Sequence, residues 1–316
     1  MRILRHWRLV KTVSGFALTV AVLLFGSACE EDTGIPALAT ASVTTWHIPP
    51  IQSHLPGPRS VTIAANDDLV VLDNGGRVLV YSSTGKVLRS WMMPEFDVGR
   101  PEGTVVLKDG RIVVCDTHYH RVVVFDSTGN VLQMFGSYGE GPGQFIYPVA
   151  VARDDNDLLF IGEYGGNDRI QVFTADGTLL RQFGGFGTAP GEFQRPSGIA
   201  WHEGEVFVAD AINNRVQEFT DAGAFVRIIT APDAGLQFPY DLAIAPDGSI
   251  FVVEYGAGRI TQMTQEGTIL TRFGSTGRGR EQMVTPWGIA VDSKGRLRVA
   301  DTGNRRLIAI EPAHKG

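Results

Sequence analysis

The chain has 316 residues, of which 43% are hydrophobic, 9% aromatic and 20% charged. This apolar content is sufficient for a large folded core and excludes an intrinsically disordered chain. The formal net charge of −6 argues against a partner that presents nucleic acid phosphates or anionic lipid. Glycine (38 residues) and proline (16 residues) recur along the whole length, which indicates many short strands separated by turns.

Residues 1–28 have the pattern of a secretory signal. Four basic residues within the first 11 positions precede an apolar run over 13–25, and three small residues then lead to Cys29. The run is too short to remain as a permanent membrane span, which needs about 20 apolar residues. The ending Gly-Ser-Ala-Cys resembles a bacterial lipobox, although Gly26 stands where leucine is usual. We therefore predict a lipid-anchored protein of the bacterial cell envelope with the lipid on Cys29, and ordinary signal cleavage at the same bond is the alternative.

The mature chain contains little cysteine chemistry. Removal of residues 1–28 would take away four positive charges and no acids, and would bring the net charge from −6 to −10. Cys115 lies in an apolar run and has no mature partner if Cys29 is lipidated. We expect Cys115 to be a buried free thiol, and we expect no disulfide.

Three landmarks recur six times in the same order along the chain, which is the mark of an internal repeat. The first is a proline followed by small and β-branched residues, at Pro58, Pro101, Pro148, Pro196, Pro239 and Pro286. The second is an apolar run closed by an acid, at Asp73, Asp116, Glu163, Asp210, Glu254 and Asp301. The third is an arginine that opens another alternating run, at Arg77, Arg121, Arg169, Arg215, Arg259 and Arg306. With a fourth apolar run between successive units, each unit of about 46 residues supplies four strands, which predicts an all-β, six-bladed β-propeller of four-stranded antiparallel blades.

The sixth unit lacks room for its fourth strand, because it runs from Pro286 almost to the end of the sequence. Near the other end, residues 42–46 (Ser-Val-Thr-Thr-Trp) repeat the pattern of residues 87–91. We predict that this N-terminal segment pairs into blade six and closes the ring, which also covers an open strand edge. Residues 29–41 would then form a tether, and residues 42–316 a single propeller domain that we expect to be a monomer.

The repeat resembles that of NHL-repeat proteins. The resemblance rests on the Pro-x-Gly-Ile-Ala strand at 196–200, on the Asp-x-x-Asn-x-Arg turns at 210–215 and 301–306, and on the Phe-Gly connectors at 135–145 and 183–193. It covers nearly the whole mature chain and implies a six-bladed propeller, but such propellers serve many functions. NHL propellers of eukaryotic ubiquitin ligases bind RNA over a basic face, whereas this chain is acidic and lacks RING and B-box cysteines, so we expect no nucleic acid partner.

The recurring arginines are predicted to be structural and not catalytic. They occur once per blade at equivalent strand ends, and a guanidinium can bind turn carbonyls and a carboxylate in one planar geometry. This role is assigned to Arg77, Arg121, Arg169, Arg215, Arg259 and Arg306.

The positions at which the repeats differ are the candidates for function. In each blade the loop that enters the first strand and the loop that joins the second and third strands share one side of the propeller, named here the loop face. This face gathers charged and aromatic side chains at Arg59, Glu102, His118, His120, Glu163, Tyr164, Tyr240, Glu254, Tyr255 and Trp287. The aromatic members would anchor an envelope protein or a small ligand, and the charged ones would set its orientation. Ordinary solvated turns are the alternative interpretation.

A metal-dependent enzyme is the competing class of function. The resemblance extends to peptidyl-hydroxyglycine lyase, an NHL-like propeller with a histidine-bound metal in its channel. Only His118, His120 and His202 fall within blades here, however, and a catalytic zinc site usually takes three protein ligands. A calcium-dependent lactonase would need channel-facing oxygen ligands, which the glutamates of the loop face leave open. We expect a non-catalytic recognition propeller without a cofactor, with zinc or calcium in the channel as the alternative.

Overall fold

The computed structural model describes residues 34–230 and 234–313. The predicted signal segment, the lipidation site Cys29 and the first part of the predicted tether lie outside these residues, and the lipid anchor therefore stays a prediction. Across the described ranges, the model contains no helix with the length and hydropathy of a membrane span.

Residues 34–230 and 234–313 contain six four-stranded antiparallel sheets, of which the first three follow in chain order. Strand β1 (Thr40–His47) precedes them and is described below with the sixth sheet. Blade 1 comprises β2 (Pro58–Ile63), β3 (Leu69–Asp73), β4 (Arg77–Tyr81) and β5 (Val87–Met92). Blade 2 comprises β6 (Gly103–Val106), β7 (Ile112–Asp116), β8 (Arg121–Phe125) and β9 (Val131–Phe135), with a short 3-10 helix at Thr117–Tyr119. Blade 3 comprises β10 (Tyr147–Arg153), β11 (Leu159–Tyr164), β12 (Arg169–Phe173) and β13 (Leu179–Gly184).

The remaining three blades repeat this arrangement. Blade 4 comprises β14 (Pro196–His202), β15 (Glu205–Asp210), β16 (Arg215–Thr220) and β17 (Phe225–Ile228). Blade 5 comprises β18 (Pro239–Ile244), β19 (Ile250–Glu254), β20 (Arg259–Met263) and β21 (Ile269–Phe273). The short parallel pair β22 (Ser275–Thr276) and β23 (Gln282–Met283) leads to blade 6, which contains β24 (Gly288–Val291), β25 (Leu297–Asp301) and β26 (Arg306–Pro312). The predicted six-bladed propeller is therefore confirmed.

The N-terminal strand closes the ring. Strand β1 pairs antiparallel with β26, so that Val43 lies opposite Ile310 and Trp46 lies opposite Leu307. The sheet order is β1-β26-β25-β24, in which β1 is the fourth, outermost strand of blade 6. The predicted closure by residues 42–46 is confirmed, and the strand extends two residues further at its start and one at its end.

The residues just before β1 contact the neighbouring blade. The N–H of Leu38 donates to the carbonyl oxygen of Arg272 at 2.8 Å, and the N–H of Arg272 donates to that of Pro36 at 3.0 Å. Arg272 belongs to β21, the outer strand of blade 5. From Pro36 onward, the segment predicted as a tether therefore lies against the propeller and crosses from blade 5 to blade 6.

The core is divided into six apolar clusters, one between each pair of neighbouring blades. The cause is the sequence of the two middle strands, which are buried on both faces; every residue of β3 and of β4, for example, is buried. Cys115 is one of these buried residues and forms no disulfide within the described part of the chain. Burial raises the pKa of its thiol, which keeps it protonated and unreactive.

An acid–arginine pair recurs in every blade, at the start of the third strand. Each arginine Nε lies 2.7–2.9 Å from an oxygen of the acid that closes the preceding strand, and the acids are at most 1% exposed. In blade 4 the guanidinium of Arg215 also donates to the carbonyl oxygens of Thr188, Ala189 and Glu192. All six predicted arginines lie in such pairs, which join each turn to the connector that precedes its blade.

Candidate binding site at the channel mouth

The first strands of the six blades surround a central channel with a cavity volume of about 450 Å³. These strands approach one another closely because glycine follows the blade-opening proline by two positions in several blades. A Cβ on Gly198 would lie 2.6 Å from the Cα of Asp241 in the next blade, and one on Gly103 would lie 2.7 Å from the carbonyl oxygen of Val149. The glycines thus set the width of the channel and the distance between side chains at its mouth.

Glu102 is the centre of a polar network at the channel mouth on the loop face. Its Oε1 accepts a hydrogen bond from Arg59 Nη2 at 2.6 Å, and its Oε2 accepts one from the Tyr240 hydroxyl at 3.1 Å. Arg195 Nη2 donates to the Tyr240 hydroxyl at 2.7 Å and lies 3.6 Å from Glu102 Oε2. The side chain of Glu102 is 3% exposed and that of Arg59 is 12% exposed. Residues from blades 1, 2, 4 and 5, far apart in the sequence, therefore form one buried network.

Aromatic rings cover this network. The ring centroids of Tyr240 and Trp287 are 5.0 Å apart, and Tyr255 lies 5.7 Å from Tyr240 and 6.5 Å from Trp287. The guanidinium carbon of Arg59 lies 4.0 Å from the Trp287 ring centroid, a cation–π distance. Six predicted residues of the loop face meet here: Arg59, Glu102, Tyr164, Tyr240, Tyr255 and Trp287. Tyr240 is only 4% exposed, so it supports the site from beneath and is not a free anchor.

His118 and His120 lie beside this cluster and not within it. Both rings contact Tyr147, each at a centroid distance of 5.6 Å, and Tyr147 stacks on Tyr164 at 5.1 Å. His120 Nδ1 also hydrogen-bonds the carbonyl oxygen of Ile146. The two histidines are therefore linked to the channel mouth through Tyr147 and do not form a pair of their own.

Glu163 and Glu254 are not part of the binding surface to which they were assigned. Both are fully buried, and their carboxylates bind the arginines of the acid–arginine pairs, Arg169 at 2.7 Å and Arg259 at 2.8 Å. Each also accepts a hydrogen bond from a connector N–H, that of Ile146 or of Gln237. Their position at the end of the second strand turns the carboxylates inward, whereas the tyrosines that follow them point to the channel mouth.

The residue before the blade-opening proline was missed, and it contributes three members of the site. Arg195, Tyr147 and Phe238 occupy this position in blades 4, 3 and 5. Arg195 has a φ of 65°, a left-handed conformation unusual for a residue other than glycine, and its N–H donates to Asp168 Oδ1 at 2.6 Å. The guanidinium carbon of Arg195 lies 4.3 Å from the Tyr164 ring centroid. The available sequence signal was a large residue at this position in blades 2 to 5, where blades 1 and 6 have Gly57 and Thr285.

Burial changes the pKa values of the network. Burial lowers the pKa of Arg59, although Glu102 opposes this effect, and the charge of Arg195 contributes to the lowering. Burial on its own would lower the pKa of Arg195. Electrostatic interactions with Tyr240 and Glu102 are stronger in sum, and the pKa of Arg195 is raised. Burial, followed by the charge of Glu102, raises the pKa of Tyr240 and of Tyr164. At neutral pH Arg59 and Arg195 are therefore guanidinium cations, and Tyr164 and Tyr240 are neutral phenols.

Asp241 is a second acid of the channel wall. Its carboxylate accepts hydrogen bonds from the N–H groups of Leu242 at 2.9 Å and of Ile289 at 3.0 Å, and no salt bridge with it is found within residues 34–230 and 234–313. Burial raises its pKa to about 7. The raised pKa places the change of charge of Asp241 near neutrality.

No group of three or more histidine, cysteine, aspartate or glutamate side chains in the described ranges is arranged to hold a metal ion. His202 ends strand β14, at the end opposite Pro196 and the loop face, and so lies apart from His118 and His120.

Large exposed apolar side chains lie in the loops of the loop face. Val98 is 71% exposed, Tyr138 70%, Phe186 59% and Ile212 51%. The first three lie in the connectors between blades, and Ile212 lies in the acid-to-arginine turn of blade 4. The connectors were not predicted to contribute to the site. Tyr138 and Phe186 nevertheless occupy the same position in their connectors, three residues after the equivalent residues Phe135 and Phe183.

Comparison with known proteins supports the repeat assignment. A family model of the NHL repeat matches residues 99–125, from the end of the connector before blade 2 to the end of its third strand, and the predicted NHL resemblance is confirmed there. Human NHL repeat-containing protein 3 is 30% identical over 121 residues, which cover 34% of this chain and 35% of that protein. The Drosophila melanogaster protein brain tumor is 28% identical over 176 residues, which cover 55% of this chain and 12% of that protein. The alignments thus span about a third and about an eighth of these relatives.

Solved structures share the architecture. A streptogramin B lyase superposes with a TM-score of 0.62 at 15% identity, over 86% of this chain and 98% of that one. A virginiamycin B lyase from Staphylococcus aureus gives a TM-score of 0.58 at 15% identity, over 86% and 100%. At this identity the likeness concerns the fold alone.

Proposed function

We propose that the protein is a non-catalytic recognition propeller that binds a protein partner through its loop face. The observation that carries the proposal is the set of exposed apolar side chains, Val98, Tyr138, Phe186 and Ile212, on the same face as the aromatic and charged channel mouth. Large apolar side chains that project together from one side of a molecule are typical of interaction surfaces, and aromatic residues dominate the energetics of such interfaces. The similarity to NHL repeat-containing proteins supports a propeller of this class.

Capture of the partner from a cell-envelope extract tests the proposal. Tyr138→Ala with Phe186→Ala removes two exposed aromatic side chains from the loop face, and we expect at least a tenfold loss of captured partner, because each hot-spot side chain contributes about 2 kcal/mol or more. The matched control is Leu132→Ala with Leu180→Ala, which removes two exposed leucines, 56% and 47% exposed, from the outer strands of the same blades. Loss in the leucine variant together with full capture by the aromatic variant would place the interface on the rim and refute the proposal.

We further propose that the protein is held at the bacterial cell envelope through a lipid on Cys29. The supporting observations are the charged start, the short apolar run and the small residues before Cys29. The wild-type protein is expected to partition into a detergent phase and Cys29→Ser into the aqueous phase. Equal partitioning of the two proteins would contradict lipidation.

A further inference from the structure

We propose that the channel mouth binds a small organic monocarboxylate, whose carboxylate lies between the guanidinium groups of Arg59 and Arg195 and whose apolar body extends into the channel. This ligand site goes beyond the recognition of a protein partner. Its central groups, Glu102 and Tyr240, are too deeply buried to meet the surface of a folded protein. The partner is expected to contact the exposed side chains around the mouth, and the carboxylate the channel beneath them.

Unsatisfied donors are the first observation. The Nε atoms of both Arg59 and Arg195 are buried, and neither has a hydrogen-bond acceptor among residues 34–230 and 234–313. Buried donors without a partner are rare in folded proteins, because the group loses water and gains nothing in return. Here two such donors come from opposite blades, 1 and 4, and belong to the same network around Glu102. Both side chains are partly exposed, at 12% and 22%, so that a rotation of each guanidinium would present its Nε to an acceptor supplied by a ligand.

Charge is the second observation. Two guanidinium groups share a single carboxylate, that of Glu102. Of the other acids near the site, Asp168 accepts hydrogen bonds from the backbone N–H groups of Gly166 and Arg195, and Asp241 accepts them from those of Leu242 and Ile289. The two arginines therefore leave one positive charge without a direct carboxylate partner, and one anionic group compensates it. A phosphate dianion would bring one negative charge too many into this buried site.

The planar geometry of the two guanidinium groups favours a carboxylate over other monoanions. The Nε and Nη atoms of a guanidinium form a planar fork that matches the two oxygens of a carboxylate. Trp287 and Tyr164 pack against the faces of the two guanidinium groups, at 4.0 and 4.3 Å, and so hold the forks in position. A planar anion fits between forks that are held in this way.

The channel wall indicates the rest of the ligand. Beyond the polar network the wall contains Val105, Val151, Ile199, Leu242 and Ile289 together with the polar side chains of Thr104 and Asp241, and the cavity of about 450 Å³ is within the range of small-molecule sites. An aliphatic chain or a single aromatic ring attached to the carboxylate would bury apolar surface there. Acetate, which has no such body, would gain little from the channel.

Calorimetric titration of the purified full chain tests the proposal, with benzoate and hexanoate as the probes. Benzamide is the neutral counterpart of benzoate, acetate lacks the apolar body, and inorganic phosphate is the alternative anion. We expect benzoate or hexanoate to bind at least tenfold more tightly than benzamide, acetate or phosphate. Arg195→Gln is expected to weaken this binding at least tenfold, and Arg89→Gln, which changes an exposed arginine of β5, to leave it unchanged.

Three results would overturn the proposal: no carboxylate binds up to its solubility limit, benzamide or phosphate binds as tightly as the carboxylates, or Arg195→Gln and Arg89→Gln bind alike. Arg195 is 22% exposed and leaves the Arg59–Glu102 pair intact when replaced, and a thermal melt of each variant confirms that it is folded. Two further measurements separate this proposal from that of the protein partner. The variant with Tyr138→Ala and Phe186→Ala should bind the carboxylate normally, and Arg195→Gln should still capture the protein partner.

Discussion

Asp241 shows how a single side chain of the channel wall couples the fold to pH. Its carboxylate has only two backbone N–H donors and no cationic partner among the described residues, in contrast to the six acids that face an arginine. Burial therefore dominates and raises its pKa from 3.8 to about 7. The folded protein holds this proton more tightly than the unfolded chain does, and the protonated form contributes stability at low pH.

The stability contributed by Asp241 should be lost as the pH rises from about 4 to about 7, the interval between its unfolded and folded pKa values. Asp241→Asn mimics the protonated side chain and lacks this dependence. In urea unfolding, the free energy of unfolding of the wild type relative to Asp241→Asn is expected to decrease steadily over this interval and to level off above it. Parallel profiles for the two proteins would contradict a raised pKa at this position.

The acid–arginine pairs are predicted to be essential for stability. Asp210 is fully buried, and Arg215→Met would leave its carboxylate without its cation and would also remove the donors to three connector carbonyls. Removal of one partner of a buried pair destabilises a protein by about 3–5 kcal/mol. Urea unfolding of Arg215→Met measures this loss, with the exposed Arg89→Met as the control. A change within about 1 kcal/mol of the control would show that the pair is not a structural requirement.

At the residue scale, six of the nine residues described at the channel mouth were predicted from the sequence. The position after the blade-opening proline gave Arg59, Glu102, Tyr240 and Trp287, because it lies at the same strand end in every blade. Glu163 was misplaced, since its sequence neighbour Tyr164 faces the mouth while the carboxylate turns inward to Arg169. Arg195 was missed, because its left-handed backbone conformation at the position before a proline could not be read from the sequence.

At the scale of elements, the internal repeat made strand β1 predictable but not the contacts of the residues that precede it. The absence of a fourth strand in the sixth unit and the copy of its pattern at residues 42–46 together identified β1. The contact of Pro36 and Leu38 with Arg272 had no such signal, since three residues in parallel pairing carry no periodicity and resemble no other unit. The guanidinium of Arg280 also donates to the carbonyl oxygen of Val43 at 2.5 Å, a contact with blade 6 that no pattern predicted.

Removal of β1 should open the ring. A chain that begins at residue 48 would lose the buried Val43, the pairing with β26 and the contacts of residues 36–38, and would expose the edge of β26 to other chains. We expect a loss of stability of at least about 3 kcal/mol from the lost apolar burial and pairing, together with aggregation. Size-exclusion chromatography and thermal unfolding measure both effects, with a chain that begins at residue 34 as the control. A monomer of unchanged melting temperature would show that closure by β1 is dispensable.

At the scale of the whole molecule, the architecture was predictable because each unit repeats local signals that need no knowledge of distant contacts. Because successive strands of a blade run in opposite directions, the loops that join them alternate between the two faces of the propeller. The loops that belong to the loop face could therefore be identified from the sequence. Which side chains meet across the channel depends on the width set by Gly103 and Gly198 and on rotamers at the mouth. These are properties of the closed ring, and they were available only from the structure.

Photo-crosslinking from the two faces of the propeller tests most directly whether the loop face is the recognition surface. A photoreactive residue in place of Glu140 lies in an exposed connector of the loop face, and one in place of Asp176 lies in an exposed turn between β12 and β13 on the opposite face. We expect a covalent adduct of one defined mass from position 140, its loss when Phe186 is also changed to Ala, and no adduct from position 176. An adduct from position 176 with none from position 140 would contradict it.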